Sequence, residues 1–354
     1  MPIGRDVTKV VIVDDSGLVR ALLSEVLNSD TRLRVVGVAA DPFEAREVIK
    51  RTNPDVITLD IEMPKMNGIA FLKNLMRLRP IPVVMISTLT QAGAPATLEA
   101  LEHGAVDYLA KPMSTGDVGL VQYREQIIEK VLTAAKANVS PLENQGATAS
   151  NDKVGVNVQK NKTLRRNFIC FIGASTGGTE AIKEVLTALP PESPPILVTQ
   201  HIPATFSSSF AQRLNNNSKL TVVEAENNMP IKPGHAYLAP GDDHLRVRKS
   251  AYGYICQIEK GDPVNRHRPS VEVLFKSAIE TLGNNCMGVL LTGMGADGSQ
   301  TLLEMREAGC LTIAQDEATS VVWGMPGVAV KLGGATKVLP LKQIASNIIA
   351  ESYR

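Results

Sequence analysis

Cysteine is scarce in this 354-residue chain: Cys170, Cys256, Cys286 and Cys310 are scattered, with no C-x-x-C spacing. That pattern indicates neither a disulfide framework nor a zinc-ligand set. Neither sign of charge dominates, since 37 Lys and Arg stand against 36 Asp and Glu for a net charge of +1. The chain therefore has no overall basic field for nucleic acid and no acidic tail. No apolar run approaches the ~20 residues of a membrane span. The opening MPIGRDVTKV also lacks the apolar centre of a signal peptide. A soluble, cytoplasmic protein that does not insert into membrane is expected. What the chain does have is length and 44% hydrophobic content, enough for two packed cores.

The stretch that organises the rest is Phe168–Gly178, FICFIGASTGG. Its apolar start reads as a short buried strand, and Gly177 and Gly178 open a helix over Thr179–Leu189. Ser175 falls at the tip, inside a G-x-S-x-G pattern whose small residues permit a tight strand-to-helix turn that lifts the hydroxyl clear. Helix N–H groups would point at the same spot, where an oxyanion could be held. On this stretch alone, a glycine-rich turn with a serine cap is an equal reading.

Upstream, KVVIV, LRVVGVA, DVITLD, IPVVMIS and VDYLA are short β-branched runs. Helical patterns lie among and after them at Leu18–Asn28, Pro42–Arg51, Gly68–Leu78, Ala94–Glu102 and Gly116–Lys136. The alternation predicts an α/β unit, a doubly wound five-stranded parallel sheet of (βα)5 type. Polar groups gather at its strand C-termini, where such sheets keep their sites: Asp14, Asp15, Asp60, Ser87 and Lys111. Three converging carboxylates repel one another, so a hard divalent cation is the expected neutraliser. A carboxylate beside Mg²⁺ and a lysine is a plausible phosphoryl acceptor.

VIVDDS, DVITLDIEMPKMNG, VVMIST and DYLAKP, in that order, resemble the signature segments of response-regulator receiver domains over about residues 8–125. The resemblance implies phosphorylation of Asp60. It implies Mg²⁺ held by Asp15, Asp60 and the Glu62 carbonyl, with Asp14 shaping the site. Lys111 would contact the phosphoryl group, Ser87 would swing toward it, and Tyr108 would be the coupled aromatic that rotates inward.

Residues 137–167 are polar and asparagine-rich, and read as an interdomain linker whose basic end (Lys160, Lys162, Arg165, Arg166) is expected to be solvated. From Phe168 to residue 351 the alternation resumes and predicts an open, mostly parallel α/β sheet domain, with a β-rich excursion at residues 230–260. ILVTQ ends at His201, level with Ser175 if the two strands are parallel neighbours. His267 competes for the same role, but Arg266 and Arg268 flank it, so that segment reads as substrate or packing contacts. Gly293–Gly298, GMGADG, is a literal G-x-G-x-x-G after a strand, with Asp316 about 20 residues on, as a dinucleotide fingerprint asks. Asp297 would then put a carboxylate against a pyrophosphate, which is costly. The same Asp is well placed to orient an imidazole, so a Ser175–His201–Asp297 relay is favoured.

FIGASTGG, TQHIP, PGHAYLAPGDDH, PVNRHRPSVEVLF, LTGMGADG and AQDEATSVVWGMP resemble the catalytic domain of chemotaxis protein-glutamate methylesterases. The resemblance implies Ser175 as nucleophile, His201 as base, Asp297 as its orienter, and Thr176 and Met294 lining the oxyanion region. It implies a phosphorylation-activated esterase that removes glutamyl methyl esters from chemotaxis receptors and deamidates receptor glutamines. A histidine kinase would supply the phosphoryl group, and the enzyme would work in the cytoplasm at membrane receptor clusters. The esterase chemistry itself would use no cofactor. A nicotinamide-dependent oxidoreductase and a receiver with a nucleic-acid-binding output are the competing classes.

Overall fold

A computed structural model describes residues 7–63, 66–87, 93–111, 117–141 and 163–354 of the chain. Most of the expected linker, residues 142–162 with Lys160 and Lys162, lies outside the described residues. The chain divides into two compact units, Met1–Ala147 and Thr148–Arg354.

In the first unit, five strands alternate with five helices. They are β1 (Thr8–Val13), α1 (Gly17–Asn28), β2 (Leu33–Ala39), α2 (Pro42–Thr52), β3 (Val56–Asp60), α3 (Gly68–Leu78), β4 (Val83–Ser87), α4 (Ala94–Glu102), β5 (Asp107–Ala110) and α5 (Asp117–Ala134). The sheet order is β2-β1-β3-β4-β5, all parallel. The β-branched runs of β1 and β3 are buried because helices cover both faces. Ser16, Asp41 and Asn67 cap the helices that follow β1, β2 and β3. The chain reverses direction across the sheet between β1 and β3, which opens a crevice at their C-terminal ends.

The second unit comprises β6 (Ile169–Ala174), α6 (Gly178–Ala188), β7 (Ile196–Gln200), α7 (Ala204–Asn217), β8 (Thr221–Glu224), β9 (His235–Leu238), β10 (His244–Ser250), β11 (Gly253–Glu259), α8 (Val271–Leu282), β12 (Cys286–Leu290), α9 (Ser299–Glu307), β13 (Leu311–Gln315), α10 (Met325–Leu332), β14 (Lys337–Leu339) and α11 (Leu341–Ser352). Seven strands form one sheet, β14-β13-β12-β6-β7-β9-β8, with every pairing parallel. The β-rich excursion is smaller than expected, because β9 inserts between β7 and β8. Only β10 and β11 stand apart, as an antiparallel hairpin. Past β13 the structure adds α10, β14 and α11, and α10 has Pro at its start and left-handed Gly333 at its end.

Residues 163–167 are not simply solvated. Leu164 bridges Tyr353 antiparallel, and Arg165 reaches the Glu351 carbonyl, Asn285 and the ring of Phe168. A guanidinium that stacks on an aromatic face while its N–H groups reach amide oxygens gains more than full exposure offers. All four cysteines are buried free thiols.

Two glycines set how closely α8 approaches the sheet. A Cβ on Gly173 would lie 2.2 Å from Val271 Cγ1, and one on Gly298 would lie 2.4 Å from the same atom. Val271, the first residue of α8, is thus wedged between β6 and the start of α9. Gly173→Ala should destabilise this unit by about 1–3 kcal/mol through overpacking. Adding Val271→Ala should recover part of that loss. Trp323, the single tryptophan of the chain, lies in this unit and reports its thermal midpoint. An unchanged midpoint in the single variant would show that the contact yields freely.

Candidate active site

β6 and β7 are parallel neighbours with Ala174 in register with Gln200, so the next residues, Ser175 and His201, emerge side by side. The His201 N–H donates to the Ala174 carbonyl at 3.2 Å and fixes that juxtaposition. Left-handed Gly177 (φ +74°) turns the chain into α6, and the Gly178 N–H closes the turn on the Ser175 carbonyl at 2.7 Å. On the other side of β6, β12 delivers the loop 291–298 to the same edge. Its close approach depends on Gly293, where a Cβ would sit 2.8 Å from Ser175 Cβ.

Three side chains form a hydrogen-bonded chain there. Ser175 Oγ lies 3.0 Å from His201 Nδ1, and His201 Nε2 lies 2.8 Å from Asp297 Oδ2. The neutral imidazole that suits both contacts carries its proton on Nε2 and accepts from the serine hydroxyl at Nδ1. The ring thus presents its two nitrogens in the opposite sense from the serine-protease template.

Asp297 is 2% exposed. Its Oδ1 accepts from Asn265 Nδ2 at 2.9 Å, Ser270 Oγ at 2.8 Å and Glu272 N at 3.3 Å, and its Oδ2 also accepts from Val271 N at 2.7 Å. Burial pushes this carboxyl up, but the His201, Asn265 and Val271 hydrogen bonds outweigh it and hold the group down to about 2. An arrangement of this kind can activate a hydroxyl for attack on an acyl carbon and hold the imidazolium that results.

His267 stacks on His201, with centroids 3.6 Å apart and planes 11° from parallel. Of the two roles open to its segment, the structure thus gives His267 a packing contact on the base. The glycines of GMGADG also have packing reasons. Gly293 clears Ser175, Gly295 is left-handed (φ +82°), and Gly298 (φ +75°) clears Val271 as it opens α9. None of these roles requires a dinucleotide.

Thr176 directly follows the nucleophile in the chain, and Met294 directly follows Gly293. The N–H of Ser175 itself is committed to the Thr292 carbonyl at 3.0 Å and so is not an oxyanion donor. Sequence reasoning did not single out Gln200, Asn265 or Ser270, each of which bonds to the triad residues or their backbone. Gln200 was visible only as the residue before His201. Asn265 and Ser270 lie in the motif around His267, and no periodicity there marks them.

In the first unit, one ligand atom from each of Asp14, Asp15 and Asp60 lies within 4.8 Å of the others. Asp60 Oδ2 accepts from Lys111 Nζ at 2.7 Å, and Glu62 N donates to Asp60 Oδ1 at 3.3 Å. Lys111 Nζ forms an ion pair with Asp14 Oδ2 at 3.4 Å, and that buried oxygen makes no hydrogen bond. Burial pushes Asp60 up to about 6, against the pull of Lys111. Gly68 lets α3 pack directly on the Asp60 carbonyl, where a Cβ would come within 1.9 Å. Tyr108 is 8% exposed, with Lys130 Nζ 5.0 Å from its ring centroid. The side chain of Ser87 lies outside the described residues.

Comparison with known proteins agrees with this division. Residues 170–348 match the model of the CheB methylesterase family, and residues 10–120 match that of the response regulator receiver domain. The chain is 60% identical to a protein-glutamate methylesterase/protein-glutamine glutaminase of Saccharophagus degradans, over 98% of this chain and 99% of that one. A Hydrogenovibrio crunogenus protein of the same description is 51% identical, over 97% and 98% of the two chains. The crystal structure of the Thermotoga maritima CheB methylesterase catalytic domain is 38% identical and superposes with a TM-score of 0.51, covering 52% of this chain and 97% of its own. The chain therefore belongs to the CheB methylesterase family, with a response regulator receiver domain preceding its methylesterase domain.

Proposed function

We propose that the protein hydrolyses glutamyl methyl esters of chemotaxis receptors and deamidates receptor glutamines, giving adaptation, under control of phosphorylation at Asp60. The observation that carries the reading is the Ser175–His201–Asp297 hydrogen-bonded chain at the C-terminal edge of the sheet. Ser175 Oγ attacks the ester carbonyl while its proton passes to His201 Nδ1. The tetrahedral intermediate expels methoxide, which takes that proton and leaves as methanol, or ammonia leaves by the same route from a glutamine. His201 then deprotonates a water that attacks the acyl-enzyme, and Ser175 recovers the proton as glutamate departs. Asp297 stays ionised throughout and stabilises the imidazolium. The Thr176 and Met294 peptides supply the oxyanion donors.

The receiver residues fit a Mg²⁺ ion, since the carboxylates of Asp14, Asp15 and Asp60 cluster and a buried oxygen of Asp14 has no hydrogen-bond partner. Asp15, Asp60 and the Glu62 carbonyl would hold it, and when bound it neutralises the carboxylates and screens the incoming phosphoryl oxygens. Asp60 Oδ is the acceptor for a kinase-derived phosphoryl group, and Lys111 contacts that group, as it now contacts the carboxylate. Ser87 and Tyr108 relay the change. Among the described residues no helix is long and apolar enough to cross a membrane, which suits an enzyme that meets its receptors from the cytoplasm.

Ser175→Ala should reduce methanol release from methylated receptor membranes by at least about 10³-fold with the fold intact. Retention of near-normal turnover would remove Ser175 from the mechanism.

Asp297→Asn should lower kcat strongly, because an amide cannot balance an imidazolium and permits the wrong tautomer. It should also flatten the acid end of the stability profile. Depressed from 3.8 to about 2, the carboxyl contributes roughly 2 kcal/mol, present in full above the unfolded value. That contribution fades as pH falls from about 4 through 2, and the Asn variant should lack the slope. Denaturant midpoints between pH 5 and 2 read it directly, and parallel slopes in the two proteins would count against it.

Treating the full chain with a small phosphodonor and Mg²⁺ should raise esterase turnover, and Asp60→Ala should keep basal turnover without responding. An Asp60→Ala protein that is still activated would locate the phosphoacceptor elsewhere.

A further inference from the structure

We propose that Gln200 is a positioning residue for the esterase reaction, its side-chain amide turning the Ser175–Thr176 peptide so that the Thr176 N–H meets the oxyanion. The proposal rests on the esterase reading of the Ser175 site. Gln200 ends β7 and is 4% exposed. Its Nε2 crosses to β6 and donates to the Ser175 carbonyl at 2.9 Å, and it donates to the His201 carbonyl at 3.2 Å. One amide therefore ties together the backbones of the nucleophile and the base.

The peptide joining Ser175 to Thr176 is planar and trans, so its C=O and N–H point in opposite directions. Gln200 Nε2 and the Gly178 N–H both hold that C=O, the latter at 2.7 Å. With the carbonyl so held, the Thr176 N–H is turned to the side away from Gln200 and the first turn of α6. The Ser175 N–H cannot substitute, because the Thr292 carbonyl takes it at 3.0 Å. The next peptide is held as well, since Thr292 Oγ1 donates to the Thr176 carbonyl at 3.0 Å. The nucleophile's turn is thus fixed by side chains from β7 and from the end of β12.

The other half of the amide argues against a purely structural role. Gln200 Oε1 is buried without a hydrogen-bond partner, lodged where a Cβ on Gly178 would lie within 2.1 Å of it. An orphaned buried acceptor is destabilising, and an apolar side chain of the same length would fill the space without it. The donor half is what the site needs.

The test uses the full chain, phosphodonor-activated, with methylated receptor membranes over a range of concentrations. Gln200→Met keeps the length and removes the donors. It should lower kcat by about 10²-fold with KM near wild type, and should leave the Trp323 thermal midpoint no lower. Gln200→Glu keeps the shape but donates only when protonated, so its activity relative to wild type should recover as pH is lowered. Wild-type kcat in a folded Gln200→Met protein would overturn the proposal, as would a Gln200→Glu pH–rate profile parallel to that of wild type. Should Gln200→Met fail to fold, the Gln200→Glu pH series still decides. An inactive Ser175→Ala beside an unaffected Gln200→Met would sink this inference alone, while an active Ser175→Ala would sink the esterase reading itself.

Discussion

A carboxylate taken almost wholly out of water must collect donors, and Asp297 collects five of them. They are His201 Nε2, Asn265 Nδ2, Ser270 Oγ and the backbone N–H groups of Val271 and Glu272. Those donors come from the end of β7, from the turn that bears His267, and from the first residues of α8. A single ionised group therefore joins its own loop to the end of β7 and to residues 265–272. It also satisfies two N–H groups at the start of α8, where helix dipoles favour negative charge. The edge of the sheet holds its shape because that charge cannot be left unpaired.

Two buried aspartates in this chain are driven in opposite directions, and the difference lies in their partners. Asp60 has one ammonium and one N–H and a carboxylate neighbour, and burial carries it up to about 6. Asp297 has five donors and is held down to about 2. A group that is to accept a phosphoryl must not be so well satisfied that its oxygen is a poor nucleophile. A group that is to steady an imidazolium must never take up a proton. Under the function proposed above, the number of donors around each carboxyl separates the two tasks.

The strand runs, the order of elements as far as β13, and the three triad residues were legible because each rests on local pattern. Ser175 sits in a turn that requires glycine, and His201 and Asp297 follow β-branched runs at strand ends. The place of β9 was not legible. Three consecutive β segments read as one β-rich excursion, whereas the pairing of β9 with β7 depends on contacts remote in sequence. The donors Gln200, Asn265 and Ser270 were missed for a similar reason. A polar residue in a loop carries no sign of the carbonyl or carboxylate it will meet. Arg165 read as solvated because its partners, Phe168, Asn285 and the C-terminal residues, assemble only in the fold.

The antiparallel bridge between Leu164 and Tyr353 has a topological consequence. Thr163 and Arg354 exchange both of their backbone hydrogen bonds, so these two residues, remote in sequence, meet at one spot on the second unit. Residues 163–354 form a closed loop of chain fastened by this two-strand clasp. A pull applied at Thr163 would be borne first by the clasp, not by the sheet that carries Ser175. Joining Thr163 to Arg354 by a few residues and opening the chain at the β10–β11 turn would leave every strand of the seven-stranded sheet where it is.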